Sequence, residues 1–309
     1  MPDDAVMTSG VAPVGRAQLA SDLRALGVKP GIVLMVHARV SALGWVVGGT
    51  GAVVHALLDA IGQHGTLMAY AGWEDDPYGM ASWPEAWQQA YAAHLPPFDP
   101  VTAEAVHANG RLPERIRTWP GAVRSRQPEA GIVALGRQAA WIVAEHPLDD
   151  AYGAGSPLAR LVEADGQVLA LGAPLSTLTL LHHAEATVQV AGKRRVRYRM
   201  PLLVDGETIW REFQDIDTAE GAFPYDLVAG EIAATPGIGP DHDPFEAIAR
   251  HALAAGVGAE GRVGGAASAL FPARDLHRFA EAWLEERFGD RRQSGDRRAR
   301  GDRAADPCV

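Results

Sequence analysis

The sequence predicts an α/β fold with a central mixed, mostly parallel sheet that is flanked by helices. One continuous apolar run, residues 31–37, is typical of a strand that is covered on both faces, and Gln167–Leu171 is a further strand candidate. Segments in which apolar residues recur at helical spacing alternate with such runs. The order strand, helix, strand over residues 31–70 indicates a βαβ unit, and therefore a pair of parallel strands.

The first elements follow from local signals. An amphipathic helix is predicted over residues 16–27, where three leucines share one stripe and Gly27 ends the helix. After the first strand, a glycine-rich turn at residues 48–51 opens a helix over residues 52–61. The next apolar run, residues 66–70, forms the second strand of the unit.

Residues 71–126 differ from these core elements because they are rich in Trp, Pro, Asp and Glu. One helix is predicted within them, over residues 82–93. So long an insertion between core elements is more typical of a binding region than of a spacer. We therefore expect this acidic, aromatic insertion to form a substrate cleft.

The second half of the chain is predicted to add strands, a hairpin and two helices. The hairpin turns at Asp205-Gly206, a pair that favours the left-handed backbone of a tight β-turn. The segment 261–270 is expected to be small and flexible. The predicted elements are strands at residues 131–135 and 167–171, hairpin strands at 194–198, 202–204 and 207–211, and helices at 247–255 and 275–288.

Length and composition bound the domain organisation. A chain of 309 residues, 47% of them hydrophobic, can bury a large core. We expect a single domain over residues 14–289, preceded by a disordered leader at 1–13. Residues 290–309 are expected to form a disordered basic tail, because they repeat polar residues and offer almost nothing apolar to bury.

Composition also excludes several classes of protein. No run of about eighteen apolar residues exists, so no membrane span is expected. Asp3 and Asp4 stand where a signal peptide would be basic, which favours a cytoplasmic location over secretion. The lone Cys308 excludes disulfides, cysteine metal sites and a buried nucleophilic thiol. The net charge of −10 argues against nucleic acid and is compatible with a cationic substrate, although many ordinary soluble proteins are acidic.

The stretch of residues 169–185 carries the strongest candidate for a catalytic base. It begins as an apolar run, breaks at a glycine and a proline, and restarts as a helix from about Thr177. On that helix His182 and Glu185 are three residues apart and share a face. The imidazole can then accept a proton while the carboxylate holds its tautomer, unless both are polar residues of an ordinary helix face.

No metal is predicted beside this pair. His183 points roughly 100° away from His182 on the helix, so the two histidines are not expected to share one task. The H-x-x-E pattern also occurs in di-iron bundles, but these need a second copy, which the chain lacks.

The turn that follows the first strand is a candidate phosphate site. Gly48-Gly49-Thr50-Gly51 lies at a predicted helix N-terminus, where backbone N–H groups can hold a phosphate or pyrophosphate. The pattern matches neither G-x-x-x-x-G-K-[ST] nor G-x-G-x-x-G, so it is no nucleotide fingerprint. A glycine loop that simply makes a tight turn is the alternative.

Carboxylates are concentrated near aromatic residues in the predicted loops. Such a lining suits a polyamine or a polyamino sugar, through charge-assisted hydrogen bonds and ring stacking. Taken singly, each of these acids is an ordinary solvated loop residue. The set consists of Trp73, Glu74, Asp75, Asp76, Asp99, Glu104, Asp149, Asp150, Asp215 and Asp217.

Eight short motifs follow one another with compatible spacing. They are Met35-Val36-His37-Ala38-Arg39, the segments 65–73 and 96–103, Arg124-Ser125-x-x-Pro128-Glu129-Ala130, Gly155-Ser156-Pro157, the segment 169–175, Leu181-His182-His183-Ala184-Glu185, and Arg262-Val263-Gly264 before Leu270-Phe271. In this order they resemble the aminoglycoside 3-N-acetyltransferases, over residues from about 16 to 289. That family has the antibiotic N-acetyltransferase fold, and its members use acetyl-CoA to acetylate the 3-amino group of the 2-deoxystreptamine ring.

The resemblance implies roles for individual residues. The family's catalytic histidine, in L-H-x-A-E, corresponds to His182, with Glu185 as its partner. The pantetheine and phosphates of acetyl-CoA are implied to lie against Val36, His37, Ala38, Arg39, Val40 and Ser41, with Arg124, Ser125 and Ser156 as further candidates. The cationic aminoglycoside is implied to lie against Trp73, Glu74, Asp75, Asp99, Glu104, Asp149 and Asp217.

Three positions depart from the family's pattern. Arg39 stands where the family usually has Ser, Gln127 where His or Asn is common, and Ser176 where an Asp or Asn follows A-P-L. Arg39 either pairs with a cofactor phosphate or crowds the pantetheine. The departures leave the preferred aminoglycoside open.

Two other functions remain as alternatives. One is an acyltransferase of the same fold that acts on another amine. The other is a non-catalytic protein that binds coenzyme A or a polyamine, against which the presence of both His182 and Glu185 argues. The chain is expected to be a monomer or a homodimer.

Overall fold

The computed structural model describes residues 12–289. The predicted tail at 290–309 lies outside the described residues, as does the predicted leader except for residues 12 and 13. The strands are β1 (Val33–Ala38), β2 (Thr66–Tyr70), β3 (Val123–Arg124), β4 (Ile132–Gly136), β5 (Gln167–Leu171), β6 (Arg195–Val204), β7 (Glu207–Ile216), β8 (Ala259–Val263) and β9 (Ala266–Pro272).

Helices flank these strands along the described part of the chain. The helices are α1 (Arg16–Leu26), α2 (Gly49–Ile61), α3 (Glu85–His94), α4 (Arg111–Arg117), α5 (Ala139–Val143), α6 (Pro157–Glu163), α7 (Leu180–Thr187), α8 (Ala229–Ala233), α9 (Pro244–Ala254) and α10 (Ala273–Phe288). Among residues 12–289, no helix is long and apolar enough to cross a membrane.

Seven of the strands within residues 12–289 form one mixed sheet in the order β3-β4-β2-β1-β5-β9-β8. The central strand β1 pairs in parallel with β2 and with β5, and the outer pairs are antiparallel. Five of the seven strands therefore run in one direction, with β4 and β9 opposed to them. The predicted α/β class, the mixed sheet and the first parallel pair are confirmed.

The central strand is apolar from Val33 to Val36 because helices cover both faces of the sheet. Val33 and Met35 belong to one core layer, and Leu34 and Val36 belong to the other. This alternation follows from the two-residue period of a strand. A continuous apolar run is therefore what a strand at the centre of such a sheet requires.

Several predicted helices begin at a different residue in the structure, and α2 and α7 are the two with a clear local cause. α2 begins at Gly49, ahead of the expected residue 52, because Gly48 and Gly49 adopt positive φ angles of 87° and 59° that turn the chain into the helix. α7 begins at Leu180, after the expected Thr177. Leu175–Thr177 form a 3₁₀ turn instead, directly after Pro174, and the α-helix begins three residues after that turn.

The β6–β7 hairpin lies outside the main sheet. Its turn is the predicted Asp205-Gly206 pair, and both residues adopt positive φ angles, of 49° and 86°. The hairpin is joined to the insertion of residues 71–126 through Phe98, whose backbone bonds to Pro201 and Leu203. The insertion is therefore held in place at the hairpin.

The prediction that residues 261–270 are flexible is wrong. They form most of the antiparallel pair β8–β9, which completes one edge of the sheet beside β5. Glycine and alanine occur here because the backbone packs closely: a Cβ added at Gly265 would lie 3.1 Å from the Leu43 carbonyl oxygen. Small residues thus mark close packing at this edge.

Replacing Leu270 by alanine tests this correction. Leu270 is 4% exposed and belongs to the core layer that includes Leu34. Leu270→Ala is expected to lower the free energy of unfolding by about 2–4 kcal/mol, because it leaves a cavity in that layer. Urea denaturation measures the loss, and Leu203→Ala, at a hairpin leucine that is 40% exposed, is the matched control. Equal, small losses in both variants would contradict the packed strand.

Candidate active site

A cavity of about 1000 Å³ opens at the carboxyl ends of the three parallel strands. Its wall includes the residues that follow β1, Tyr70 at the end of β2, and the turn that follows β5. Because the chain leaves β1 towards opposite sides to reach β2 and β5, the loops diverge here, as at binding clefts of other parallel sheets. Within residues 12–289, no group of three or more His, Cys, Asp or Glu residues is placed to hold a metal ion.

His182 and Glu185 form a hydrogen-bonded pair on this wall. His182 Nδ1 lies 2.8 Å from Glu185 Oε2, and the histidine side chain is 21% exposed while the glutamate is 1% exposed. The carboxylate accepts a hydrogen bond from Nδ1–H. This bond favours the tautomer in which Nε2 is unprotonated and can act as a base. The rings of Tyr152 and Phe245 flank the imidazole, with centroids 5.1 and 4.6 Å away.

The neighbouring His183 has a different environment. Its Nδ1 lies 2.7 Å from the Tyr152 carbonyl oxygen, and its ring stacks on His277 at 4.5 Å. Burial lowers the pKa of His183 to about 4, so the ring is neutral over the physiological range. The expectation that the two histidines do not share one task therefore agrees with their positions.

Part of the cavity wall is positively charged. Arg39 and Arg111 line it, and neither forms an ion pair with any of the residues 12–289. Gly48, Gly49 and Thr50 at the start of α2 also line it, and the N–H groups of a helix's first turn lack intrahelical partners. Two guanidinium groups beside such a helix start suit a phosphate.

A carboxyl group lies on the wall of the cavity together with His182. Glu129 lines the cavity and is 9% exposed. The Tyr152 hydroxyl lies 2.8 and 3.1 Å from its two oxygens, and Tyr70 donates to its backbone carbonyl. Burial, reinforced by the charge of Asp76, raises the pKa of Glu129 to about 8.

Glu129 was missed as a site residue by sequence reasoning, although the motif Pro128-Glu129-Ala130 contains it. It lies shortly before the first residue of β4, Ile132, and β4 is antiparallel to β2. The amino end of β4 therefore meets the carboxyl ends of the parallel strands. This position depends on the direction of β4, for which the sequence offers no local signal.

A sequence model described as aminoglycoside 3-N-acetyltransferase matches residues 35–285. Over 293 residues the chain is 50% identical to aminoglycoside N(3)-acetyltransferase VII of Streptomyces paromomycinus, covering 94% of this chain and 99% of that protein. The crystal structure of AAC(3)-Xa has a TM-score of 0.83 at 50% identity, covering 90% of this chain and 94% of that one. AAC-IIIb, solved as a binary complex with CoASH, has a TM-score of 0.78 at 43% identity, covering 90% and 99%.

The chain belongs to the aminoglycoside 3-N-acetyltransferase family. The match spans most of the chain and nearly the whole of the relative, so it concerns the entire domain. The chain is therefore an acyltransferase of the class that acetylates aminoglycosides at the 3-amino group, an activity that confers resistance to these antibiotics.

The cofactor residues predicted for this acetyltransferase separate into two groups. Six of them line the cavity, and three lie elsewhere. Arg124 donates to the carbonyls of Gly72 and Ala103, and Ser156 caps α6 by accepting from the Ala159 N–H. The cavity group is Val36, His37, Ala38, Arg39, Val40 and Ser41.

The third residue outside the cavity is Ser125, which is fully buried. Its hydroxyl accepts from the Ile132 N–H and contacts His146 Nδ1 at 2.9 Å. Like Arg124 and Ser156, it is engaged by its own chain. The motifs that contain Arg124, Ser125 and Ser156 therefore stabilise the fold around the cavity.

None of the seven residues predicted to contact the aminoglycoside lines the cavity. Trp73 is 3% exposed and packs edge-on against Phe98 at 5.5 Å. Asp149 forms an ion pair with Arg211 at 2.6 Å. Asp99 caps its own turn by accepting from Thr102 Oγ1 and the Val101 N–H.

The other four predicted residues are likewise held locally or face solvent. Asp217 accepts from the N–H groups of Ala219 and Glu220. Glu74 and Glu104 both bind His107, and Asp75 is exposed. These acidic residues are therefore held in local turns and polar contacts or face solvent, both within the insertion and at residues 149 and 217.

The insertion does reach the cavity, but through other residues. Ala108, Asn109, Gly110, Arg111 and Pro113 line it. These residues precede or begin α4, and the charge that they contribute is positive. The part of the insertion at the cavity is therefore near the phosphate-suited end.

The three departures from the family's pattern also have distinct positions. Arg39 is exposed at the cavity, and Ser176 lines the cavity on the turn after β5. Gln127 is fully buried, donates to the Tyr198 hydroxyl and accepts from the Ala130 N–H. Gln127 therefore braces the segment that carries Glu129.

The raised pKa of Glu129 predicts a pH-dependent stability. Its carboxyl keeps a proton in the folded chain up to about pH 8, whereas the unfolded chain loses it near its usual value of 4.5. Its contribution to the free energy of unfolding is therefore fully present below pH 4.5. That contribution falls by roughly 1.4 kcal/mol per pH unit between these values.

Urea denaturation at about pH 5, 6.5 and 8 checks this dependence. Relative to Glu129→Gln, the unsubstituted chain is expected to lose stability steadily across the series. Glu285→Gln, at an exposed glutamate on α10, is the matched control and should follow the unsubstituted chain. A stability difference from Glu129→Gln that is constant with pH would rule out the buried, protonated carboxyl.

Proposed function

We propose that this acetyltransferase transfers the acetyl group of acetyl-CoA in the cavity at the carboxyl edge of the sheet, with His182 as general base. The observation that carries the proposal is the His182–Glu185 pair on the cavity wall. A relative at 43% identity was solved with CoASH, which supports acetyl-CoA as the co-substrate. The cytoplasmic location and the oligomeric state stay predictions from the sequence.

The 3-amino group attacks as the neutral amine, because an ammonium group has no lone pair, so its extra proton is first lost to solvent. The nitrogen then gives up one more proton as the amide forms, and a base must accept it. Nδ1 of His182 is engaged by Glu185, so Nε2 accepts the proton as the 3-amino nitrogen attacks the thioester carbonyl. A C–N bond forms, the C–S bond breaks, and the imidazolium returns its proton to the leaving thiolate. Glu185 stabilises the imidazolium while it carries that proton.

The co-substrate is proposed to lie along the wall formed by residues 36–41. Its phosphates meet Arg39, Arg111 and the start of α2, and its thioester then points towards His182. In this arrangement Arg39, which stands where the family usually has Ser, pairs with a phosphate and does not crowd the pantetheine.

The aminoglycoside is proposed to place one of its ammonium groups against Glu129. This is a carboxyl group that lines the cavity together with His182, and Tyr152 contacts both. An ammonium favours the ionised carboxylate, so substrate binding would expel the proton that burial retains. The acidic end for the substrate then lies opposite the basic end for the phosphates.

Alanine at position 182 tests the base. General-base help is typically worth about a hundred- to ten-thousand-fold, so His182→Ala is expected to lower kcat by that order. Acetyl-CoA binding should be unchanged, because the phosphates are held at the other end of the cavity. Thiol release from acetyl-CoA measures the rate, and calorimetric titration measures binding.

His94→Ala is the matched control, since His94 is exposed at the end of α3, away from the cavity. It should retain full activity. Near-normal turnover of His182→Ala would contradict the assignment of His182 as the base. Assaying a panel of aminoglycosides and other amines also separates this function from acyl transfer to a different amine.

Glutamine at position 129 tests the substrate contact. A hydrogen bond to a charged group contributes about 1.5–3 kcal/mol, so Glu129→Gln is expected to raise the aminoglycoside KM about tenfold or more. The acetyl-CoA KM should stay constant. Asp149→Asn is the matched comparison, because the sequence predicted Asp149 as a contact and the structure pairs it with Arg211. A larger effect at Asp149 than at Glu129 would overturn the contact.

A further inference from the structure

A tyrosine extends the hydrogen-bonded pair to a chain of three groups. The Tyr225 hydroxyl donates to Glu185 Oε1 at 2.7 Å, while Glu185 Oε2 is bound by His182 at 2.8 Å. Within residues 12–289 these are the two side-chain partners of the carboxylate, and the carboxylate is almost wholly buried. Each oxygen thus has its own partner, so the carboxylate has one orientation that satisfies both.

We propose that Tyr225 is a positioning residue for acetyl transfer, which holds the Glu185 carboxylate towards His182 and stabilises its negative charge. The inference rests on the proposed role of His182 as the base. Tyr225 does not line the cavity, so it acts through Glu185 and does not touch either substrate.

The phenol ring is itself held firmly. Tyr225 begins a 3₁₀ turn, Tyr225–Val228, directly after Pro224, and its ring packs edge-on against Phe288 at 5.6 Å and Phe223 at 6.3 Å. A Cβ added at Gly221, whose φ is +83°, would lie 3.1 Å from this ring. The close approach of a glycine backbone leaves the ring little room to turn away from Glu185.

The Tyr225 hydroxyl stays protonated and therefore always donates to Glu185. Burial, together with the charge of Glu185, raises the pKa of Tyr225 well above its usual value. The phenol therefore keeps its proton throughout the range in which the enzyme works. A neutral donor of this kind adds no charge that would repel a protonated His182.

Other titratable groups around the pair are engaged elsewhere. Asp243 caps α9 through the N–H groups of Phe245 and Glu246, and Lys193 donates to the Ala186 carbonyl at 2.7 Å. Tyr152 binds Glu129. The remaining facing groups lie on the other side of α7 and are His183, His277 and Glu281.

Removing the Tyr225 hydroxyl is expected to change the pH dependence of the rate of acetyl transfer. A hydrogen bond to a full charge is stronger than one to a neutral group. Glu185 is ionised in both states of the pair, but in the protonated state the imidazolium partly offsets its charge. Tyr225 therefore stabilises the active form, neutral His182 beside ionised Glu185, more than the protonated form. Without the hydroxyl the pair holds its proton more tightly, and the acid limb of the rate profile moves to higher pH.

Tyr225→Phe is the test, because it keeps the ring and removes only the hydroxyl. We expect kcat at neutral pH to fall about three- to tenfold. The acid limb of kcat/KM should move up by about half to one pH unit. The acetyl-CoA KM should be unchanged, and a thermal melt records whether the fold is intact.

The matched control is Tyr91→Phe on α3. The Tyr91 ring contacts Trp83 and Trp87. Its hydroxyl forms no hydrogen bond with any of the residues 12–289. Its rate profile should coincide with that of the unsubstituted enzyme.

The outcomes separate this inference from the one on which it rests. If His182→Ala cripples turnover while Tyr225→Phe leaves the profile unchanged, Tyr225 has no positioning role and the base assignment stands. A uniform loss of rate with no shift of the acid limb, accompanied by a lower melting temperature, also overturns the inference, because it shows only a packing role. Near-normal turnover of His182→Ala overturns both.

Discussion

A carboxylate removed from water must keep partners for its charge, and Glu185 meets this constraint inside the domain. One oxygen binds His182 and the other binds Tyr225, so the position of each group depends on the other two. α7 supplies the first pair at a spacing of three residues, and a turn some forty residues later supplies the third. The imidazole is thereby left with one free nitrogen at the cavity.

The topology of the sheet determines the position of His182 Nε2. β5 ends at Leu171, and the turn after it carries the chain into α7 on the carboxyl side of the parallel strands. The loops after β1 and β2 end on the same side, which brings residues 36–41 and Tyr70 to the wall that holds His182. β4 runs against β2, so its amino end adds Glu129 to that wall. Parallel and antiparallel pairing both contribute to the site.

The cavity wall carries groups of both charges. Arg39, Arg111 and the start of α2 make one end suited to phosphate, while Glu129 stands with His182 on the wall of the cavity. This division suits an anionic co-substrate and a cationic acceptor, whose reacting groups must meet between the ends. The net charge of −10 describes the whole chain and does not report this arrangement. Many of the acids behind that number are bound to nearby backbone or arginine groups.

The sequence by itself determined the α/β class, the central strands, the hairpin turn and the His182–Glu185 pair, because each depends on residues close together in the chain. Apolar period, turn-forming residues and a three-residue helical spacing are local properties. The tertiary structure was needed to show that residues 261–270 form a sheet edge, that Glu129 lines the cavity and that Tyr225 binds Glu185. It also decided that Trp73 and Asp149 are engaged elsewhere. These outcomes depend on strand direction and on contacts between distant segments, which composition and spacing do not encode.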